Sequence, residues 1–300
     1  MMETITYQTC PVCKSSDVAI KLAAKDHTVS QEVFEVWECK HCTLAFTQNV
    51  PAANAIGKYY QSADYVSHSD TRKGLINRLY HFVRGITLRT KRNLVKNVTT
   101  LSKGNLLDVG AGTGAFTATM KKAGWNVKGL EPDETARQNA KTNHQLELET
   151  LDVLHQQPTS HYDAITMWHV LEHVHDLHQY LDTFHRILQP TGTLIVAVPN
   201  YTSEDAAIYK EHWAAYDVPR HLYHFSPNSM DILMEQHNMQ VVAHKPMWFD
   251  SFYVSMLSEK YKSGSNNYLS ALMNGALSNW KALGDVSRCS SVIYIIRRKN

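Results

Sequence analysis

Residues 106–116 read LLDVGAGTGAF, and this stretch decides the fold. An apolar strand ends in an acid, turns through three glycines and opens an amphipathic helix. Gly110 and Gly112 allow a tight turn and a close approach of the backbone to a ligand, and the helix N-terminus behind them offers unpaired N–H groups. The pattern predicts a loop for a nucleotide-type cofactor. Gly110, Gly112 and Ala115 also satisfy the dinucleotide fingerprint, so this stretch alone leaves the cofactor open.

Three acids at predicted strand ends narrow the choice of cofactor. Asp108 lies two residues before Gly110, where a carboxylate would repel a pyrophosphate but suits a cationic ligand. Glu131 follows the next apolar run, and an acid at that position accepts hydrogen bonds from ribose hydroxyls. Asp152 comes after residues 146–151, where a third strand is predicted to end. The alternative for Asp152 is a helix N-cap or an ordinary loop acid.

Two further segments continue the alternation of strands and helices. Residues 162–174 (YDAITMWHVLEHV) read as a fourth strand running into a helix, and residues 188–200 (LQPTGTLIVAVPN) as a turn and a fifth strand. Over residues 105–245, the ordered set resembles the class I S-adenosylmethionine (SAM)-dependent methyltransferases, closest to the small-molecule group that includes the ubiquinone-pathway O-methyltransferases. The resemblance implies an α/β, Rossmann-like sheet of seven strands, the last antiparallel, with helices on both faces.

The resemblance also implies how the cofactor binds. The glycines approach its methionine part with the first acid beside it, the second acid binds the ribose, and the third acid with the following valine flanks the adenine. The implied cofactor-binding residues are Asp108, Gly110, Gly112, Gly114, Glu131, Pro132, Asp152, Val153, His169 and Tyr60. An ordinary strand-to-helix turn is the alternative for the glycines.

The composition bounds the class of protein. Three hundred residues allow one large domain or two modest ones. Thirty Lys and Arg residues against 28 Asp and Glu residues give a net charge of +2, so no overall field attracts nucleic acid or an anionic membrane. The sequence has neither an apolar run near the roughly 20 residues of a membrane span nor an apolar signal-peptide core at its start. We expect a cytoplasmic protein.

Two cysteine pairs predict a metal site in residues 1–50. Cys10 and Cys13 form one C-x-x-C turn, Cys39 and Cys42 form the other, and alternating segments between them predict a small hairpin. Four thiolates from two such turns suit tetrahedral zinc, whereas a cytoplasmic setting disfavours the alternative, disulfides. The arrangement resembles a zinc ribbon, which sugar-modifying C-methyltransferases also carry before a SAM domain. We favour a structural role over nucleic-acid contact, because the segment lacks a basic stripe with interleaved aromatics.

Residues 51–101 are predicted to be a helical linker or lid. Apolar residues recur there at three- to four-residue spacing, from Leu75 to Ile86. Tyr60, Tyr65 and His68 lie just upstream, and in many methyltransferases of the resembled type such a helical segment closes over the cofactor. Ordinary aromatic packing is the alternative for these three side chains.

The catalytic domain is predicted to span residues 102–300. Ser226 and Pro227 open a helix, and two further strands are predicted at residues 240–244 and 292–296. The chain between these two strands, residues 246–290, is longer than a hairpin turn and has helical spacing, so we expect an inserted helical cap.

His169, Glu172 and His173 follow the fourth strand, and a helical turn would place them on one face. In ubiquinone-type enzymes the matching segment contains acid, acid and histidine, and can hold magnesium. Here His169 replaces the first acid, which puts a hard-cation site in doubt. We expect His169 near the cofactor and His173 as a base or substrate contact. Simple capping at a helix start is the alternative.

A second cluster, residues 213–225, is expected to face the acceptor. Arg220 is the candidate clamp for a carboxylate or phosphate. His221 or His224 is the candidate that takes the acceptor proton, and neighbouring aromatics would form the wall of a small-molecule site. The predicted catalytic residues are therefore His173, Arg220 and His221.

The sequence thus predicts a SAM-dependent methyltransferase acting on a small acceptor, with Arg220 as the candidate site for an anionic group. Oxygen is the expected attacking atom, and nitrogen and carbon are the alternatives. One rival is a nucleotide-dependent oxidoreductase, against which Asp108 argues. The other is a zinc-ribbon SAM-binding or RNA-associated module without turnover. Trp168 and His169 stand where amino-group modifiers of macromolecules carry an Asn/Asp-Pro-Pro-Tyr signature.

Overall fold

The computed structural model describes residues 3–61, 75–265 and 267–299. The strands in this part of the chain are β1 Thr4–Ile5, β2 Val18–Lys25, β3 Val33–Cys39, β4 Ala45–Thr47, β5 Val50–Pro51, β6 Asn105–Val109, β7 Asn126–Leu130, β8 Tyr162–Trp168, β9 Leu188–Pro199, β10 Tyr223–His224, β11 Met239–Pro246 and β12 Ser291–Arg298. The helices are α1 Leu75–Thr99, α2 Ala115–Lys122, α3 Glu134–His144, α4 Leu177–Ile187, α5 Glu204–Tyr209, α6 Pro227–Gln236, α7 Asp250–Ser263 and α8 Tyr268–Gly284.

The largest sheet has the order β11-β12-β9-β8-β6-β7. Strands β6, β7, β8 and β9 pair in parallel, and β12 is antiparallel to both of its neighbours. The apolar runs that predicted the central strands are buried, as β9 shows from Gly192 to Pro199, because a sheet covered on both faces needs apolar side chains on both. The Rossmann-like α/β fold and the antiparallel last strand are confirmed.

This sheet has six strands among the described residues, so the prediction of seven is wrong. The difference lies at residues 146–151, where the third strand was expected. Glu149 makes a single parallel bridge to Leu130 at the β7 edge, and the chain then enters a 3-10 helix, Leu151–Gln156. Glu147 and Glu149 keep 83% and 46% of their side chains exposed. Such alternating exposed glutamates are poor strand formers.

A second sheet joins the N-terminal ribbon, residues 3–51, to the rest of the molecule. Its order is β10-β4-β3-β2. The β2–β3 hairpin lies between the two cysteine pairs, as predicted. Strand β10 lies between β9 and β11 of the large sheet in the chain, yet it pairs with β4, with Tyr223 opposite Phe46 and His224 opposite Ala45. The ribbon is therefore built into the molecule through backbone hydrogen bonds.

Two helical segments flank the large sheet. Residues 51–101 contain a 3-10 helix, Ile56–Tyr60, and the long helix α1. The predicted lid residues Tyr65 and His68 lie outside the described residues. Residues 246–290 contain α7 and α8, which pack against each other. Among the described residues, no helix combines the length and the apolar character needed to cross a bilayer.

Candidate functional site

The glycine loop after β6 adopts the geometry that its sequence predicts. Gly110, Gly112 and Gly114 have φ values of 71°, 54° and 76°, in the left-handed region that favours glycine. A Cβ at Gly110 would lie 2.3 Å from Val170 Cγ2, whereas a Cβ at Gly112 would meet nothing within 4 Å. The loop therefore packs tightly against the β8 end on one side and stays open on the other.

Asp108 lies at the carboxyl end of β6 with 1% of its surface exposed. Its Oδ2 accepts a hydrogen bond from the Thr117 hydroxyl at 2.7 Å and its Oδ1 from the Thr166 hydroxyl at 2.8 Å. Burial raises the pKa of the carboxyl to about 6, although both hydroxyls favour the ionised form. Sequence reasoning missed both threonines; Thr166 could have been found from the parallel register, which places it opposite Asp108.

Glu131, at the end of β7, braces the same loop. Its Oε2 accepts the Gly112 N–H at 2.7 Å and its Oε1 accepts the Asp133 N–H at 3.0 Å. Burial raises the pKa of this carboxyl above its usual value. Pro132 follows on the exposed side of the turn, where its carbonyl accepts a hydrogen bond from Arg137. Each glutamate oxygen keeps a second lone pair for a ligand.

Asp152 and Val153 lie on the 3-10 helix beyond the β7 edge. Asp152 is exposed and accepts a hydrogen bond from the Thr150 hydroxyl at 3.3 Å, and Val153 packs against the core. The predicted adenine-flanking position therefore lies on a short 3-10 helix and not at the end of a strand of the large sheet.

A cavity of about 320 Å³ opens between the glycine loop and α1. Asp108, Gly110 and Gly112 line one side, and Arg84 and Lys91 line the other. The α1 residues were missed by sequence reasoning, since only the three-dimensional packing of α1 brings them to the loop. The cavity is thus lined by an acidic side chain from the large sheet and by basic side chains from α1.

Lys91 is one of the two basic residues, with Arg84, that α1 brings to this cavity. Its Nζ lies 4.2 Å from the centroid of the Trp168 ring, a cation–π distance. Burial lowers the pKa of the amine to about 8, while Asp250 and Asp108 act in the opposite direction.

His169 follows β8 with φ 58° and lies between two carboxylates. Its Nε2 is 2.8 Å from Asp250 Oδ2 and its Nδ1 is 3.4 Å from Glu172 Oε1. Burial opposes the charged ring, but the two carboxylates outweigh it and raise the pKa to about 10. The meeting predicted for His169, Glu172 and His173 is present through Glu172, whose carboxylate lies 3.4 Å from His169 Nδ1 and within 4.8 Å of a ring nitrogen of His173.

His173 contacts Tyr60 and His221. Its Nδ1 is 3.1 Å from the Tyr60 hydroxyl and 3.0 Å from the Arg220 carbonyl oxygen, and its ring lies 4.6 Å from that of His221. Burial and the nearby His221 lower the pKa of His173 to about 4. Two of the predicted catalytic residues, His173 and His221, are thus together, and Tyr60 accompanies them.

Arg220 has a different environment from the acceptor clamp predicted for it. The side chain is 1% exposed. Its guanidinium donates to Asp217 Oδ1 at 2.6 Å, to Asp26 Oδ1 at 3.1 Å and to the Tyr59 carbonyl oxygen at 2.7 Å. The guanidinium N–H groups that would bind a substrate therefore already donate to protein groups. This geometry favours a positioning role for Arg220 between the ribbon and the main domain.

The rest of the predicted acceptor wall is also packed inside the protein. His224 is buried, with Nε2 3.0 Å from the Thr47 hydroxyl, and burial lowers its pKa well below the usual value. Trp213 is 2% exposed and donates its Nε1–H to Asp205.

The four ribbon cysteines converge as predicted. Their sulfur atoms all lie within 4.8 Å of one another, with Cys10 3.5 Å from Cys42 and Cys13 3.5 Å from Cys39. A tetrahedral zinc with bonds of about 2.3 Å separates its sulfurs by about 3.8 Å. The cysteines are free thiols, so this donor set fits a zinc ion.

Comparison with known proteins identifies the family. A methyltransferase domain model matches residues 81–244, and the chain belongs to this family. A ubiquinone biosynthesis O-methyltransferase of Rhodopseudomonas palustris (strain BisB5) is 26% identical over 163 residues, 52% of this chain and 64% of that protein. The mitochondrial enzyme of the same name from Bos taurus is 27% identical over 53% of this chain and 49% of its own length. The chain thus spans less than two thirds of these relatives.

Solved structures agree on the fold. Magnesium protoporphyrin IX methyltransferase from Synechocystis PCC 6803 matches with a TM-score of 0.53 and 12% identity, over 80% of this chain and 97% of that one. The 1,6-didemethyltoxoflavin-N1-methyltransferase of Burkholderia thailandensis matches with a TM-score of 0.50 and 14% identity, over 92% and 100%.

Proposed function

We propose that this protein transfers the methyl group of SAM to a small-molecule acceptor. The observation that carries the proposal is the cavity between the glycine loop and α1, with the Asp108 carboxylate at its base. A buried carboxylate favours a sulfonium cation and disfavours a pyrophosphate. Both structural neighbours described above contain bound S-adenosylhomocysteine, the product of this reaction.

The cofactor contacts follow from the loop. Gly110, Gly112 and Gly114 bring the backbone close to the methionine part, and Asp108 lies beside it. Glu131 offers its remaining lone pairs to the ribose hydroxyls, with Pro132 next to it. Asp152 and Val153 flank the adenine, the role that the family resemblance implies for them.

The acceptor is assigned to the side of the site where Tyr60, His173 and His221 meet. The names of the ubiquinone O-methyltransferase relatives favour oxygen as the attacking atom. Attack on the SAM methyl group is an in-line displacement that forms the new oxygen–carbon bond, breaks the carbon–sulfur bond and releases the acceptor proton. A neutral imidazole at His173 can accept a hydrogen bond from the acceptor hydroxyl and so orient it.

The ribbon supplies structure in this proposal. A zinc ion is held by Cys10, Cys13, Cys39 and Cys42. The ribbon also provides the Asp26 carboxylate, which accepts a hydrogen bond from the buried Arg220. Strand β4 of the ribbon pairs with β10, which follows His221 closely in the chain. The rival functions have no specific observation in their favour: Asp108 opposes a dinucleotide, and the net charge of +2 offers little attraction to RNA.

Calorimetric titration with SAM, S-adenosylhomocysteine and NADH tests the cofactor assignment. We expect micromolar binding of the first two ligands and no response to NADH. Gly110→Ala should weaken SAM binding at least tenfold, because its Cβ would meet Val170 at a φ of 71°. Gly57→Ala is the matched control, since a Cβ there meets nothing within 4 Å. NADH binding in place of SAM would contradict the proposal.

A further inference from the structure

Three ligand-type side chains converge beside the acceptor region. One carboxylate oxygen of Glu172, one ring nitrogen of His173 and one of His221 all lie within 4.8 Å of one another. Two of these residues follow β8, and the third precedes β10 in a distant part of the sequence. The tertiary fold, and not a local turn, therefore brings the three ligands together.

Glu172 is the unusual member of this cluster. The residue has 0% exposure, and neither carboxylate oxygen accepts a hydrogen bond within the part of the chain that the structure describes. Its nearest cationic group, His169 Nδ1, is 3.4 Å from Oε1 and is shared with Asp250. A buried carboxylate without hydrogen bonds carries a large desolvation cost, which a bound cation would offset.

The two imidazoles are oriented in the way that metal-binding histidines are. His173 Nδ1 lies 3.0 Å from the Arg220 carbonyl oxygen, and His221 Nδ1 lies 2.9 Å from the Ala215 carbonyl oxygen. A carbonyl oxygen can only accept, so each Nδ1 carries the ring proton and each Nε2 keeps its lone pair. Imidazoles that ligate metals characteristically donate their other N–H to a carbonyl or carboxylate.

We propose that Glu172, His173 and His221 bind a divalent transition-metal ion, and not the magnesium that the family resemblance implies. Magnesium prefers oxygen ligands, and this chain has replaced one of the two expected acids by His169. His169 itself is paired with Asp250 and is not part of the donor set. Two imidazoles and one carboxylate suit manganese, iron, cobalt or zinc.

The three ligand atoms are close enough together to share one ion. They all lie within 4.8 Å of one another, and ligand atoms around a first-row metal lie about 3–4 Å apart. Three protein ligands leave coordination positions open, so a bound ion would contact the acceptor oxygen in place of the direct hydrogen bond to His173 and would supply Lewis acidity to it. Binding requires only these three side chains, so the inference goes beyond the proposed function and can be tested without turnover.

Manganese binding to the whole purified chain tests the site, since Mn²⁺ competes poorly for the four thiolates of the ribbon. We expect one equivalent of bound Mn²⁺ by electron paramagnetic resonance, not displaced by an equal concentration of Mg²⁺. We also expect total zinc by elemental analysis to rise from one equivalent to two when zinc is supplied. Glu172→Gln and His221→Gln should each weaken Mn²⁺ binding at least tenfold, whereas His161→Gln, outside the cluster, should not.

Several outcomes would overturn the proposal. One is a wild-type protein that binds no Mn²⁺ and only the ribbon zinc. Another is a variant of the cluster that keeps a native circular dichroism spectrum and binds manganese as the wild type does. Displacement of Mn²⁺ by equimolar Mg²⁺ would contradict the assigned metal class. If neither variant folds, the wild-type stoichiometry and the magnesium competition decide the matter.

Discussion

At the scale of single residues, the cavity is matched to a zwitterionic ligand. Asp108 lies at its base, and Lys91 lies on the α1 side with its amine over the Trp168 ring. SAM carries a sulfonium and an amino group, which suit a carboxylate, and a carboxylate, which suits an ammonium. In the proposed binding mode, the two protein charges would favour the complete methionine part of the cofactor.

The Lys91→Met variant should separate the contribution of Lys91 to SAM binding from that of Asp108. The variant keeps the apolar stem but removes the ammonium, and a charge-assisted hydrogen bond contributes about 1.5–3 kcal/mol, so we expect SAM binding to weaken by about tenfold or more. Decarboxylated SAM lacks the partner of Lys91 and should bind the variant and the wild type equally. Calorimetry with both ligands measures this. An equal loss for both ligands would contradict a contact between Lys91 and the carboxylate of SAM.

Sequence reasoning found the residues whose contacts are made within short, neighbouring parts of the chain. Asp108, the glycines and Glu131 belong to one strand–turn–helix unit and its neighbour, so their spacing alone predicts their meeting. Thr117 and Lys91 reach Asp108 or its cavity only through helix packing, which no spacing reveals. Arg220 illustrates the opposite case, because its hydrogen-bond partner was expected to be a substrate, whereas its guanidinium donates to Asp217, to the Tyr59 carbonyl oxygen and to Asp26 of the ribbon.

At the scale of elements, helix α8 shows where periodicity misleads. Its helical spacing predicts the cap, but the apolar side chains Leu269, Met273 and Trp280 are 70%, 64% and 65% exposed. The buried face carries small residues, Ala271, Gly275, Ser278 and Ala282, of which Ser278 donates a hydrogen bond to Asp205 at 2.9 Å. Periodicity identifies a helix, whereas the direction of its faces depends on partners that the sequence pattern does not name.

The loop after β2 is tied to the segment before β10 by a buried ion pair. Asp26 and Arg220 are both 1% exposed and lie 3.1 Å apart. Asp26→Asn should lower the free energy of unfolding by about 3 kcal/mol, since it leaves part of a buried guanidinium charge uncompensated. Urea unfolding at pH 7 measures this. Asp17→Asn, an exposed substitution in the same ribbon, should change stability by less than about 0.5 kcal/mol.

The difference in free energy of unfolding between the wild type and Asp26→Asn should depend on pH in a definite direction. Burial opposes ionisation of Asp26, but backbone N–H groups of its loop and the Arg220 guanidinium outweigh burial and hold its pKa well below the usual value. The stabilisation is therefore complete above the unfolded pKa of about 3.9 and is lost as the pH falls below it. The gap between wild type and Asp26→Asn should shrink below about pH 4; a gap that widened there would refute the ion-pair explanation.

At the scale of the whole molecule, the ribbon and the large sheet have one continuous core. The cluster of buried side chains runs from Cys10 and Phe46 in the ribbon through Tyr223 in β10 to Val196 in β9. Backbone contacts reinforce it, for the Thr47 N–H donates to the Leu222 carbonyl oxygen at 2.9 Å. The sequence predicts a ribbon at residues 1–50, a helical linker at 51–101 and a catalytic domain at 102–300, but it contains no local signal for the pairing of β4 with β10.

Zinc loss should consequently destabilise more than the ribbon. Cys39→Ser removes one of four thiolates and should release the ion, because a small ribbon depends on its metal for folding. We expect the melting temperature of the whole chain to fall by about 10 °C or more in a single transition. Cys289→Ser changes a buried thiol outside the ribbon and should retain zinc. Calorimetry and elemental analysis of the two variants measure both effects. A separate low-temperature transition in Cys39→Ser, with the main transition unchanged, would mean that the ribbon unfolds alone and that the shared sheet does not couple the two units.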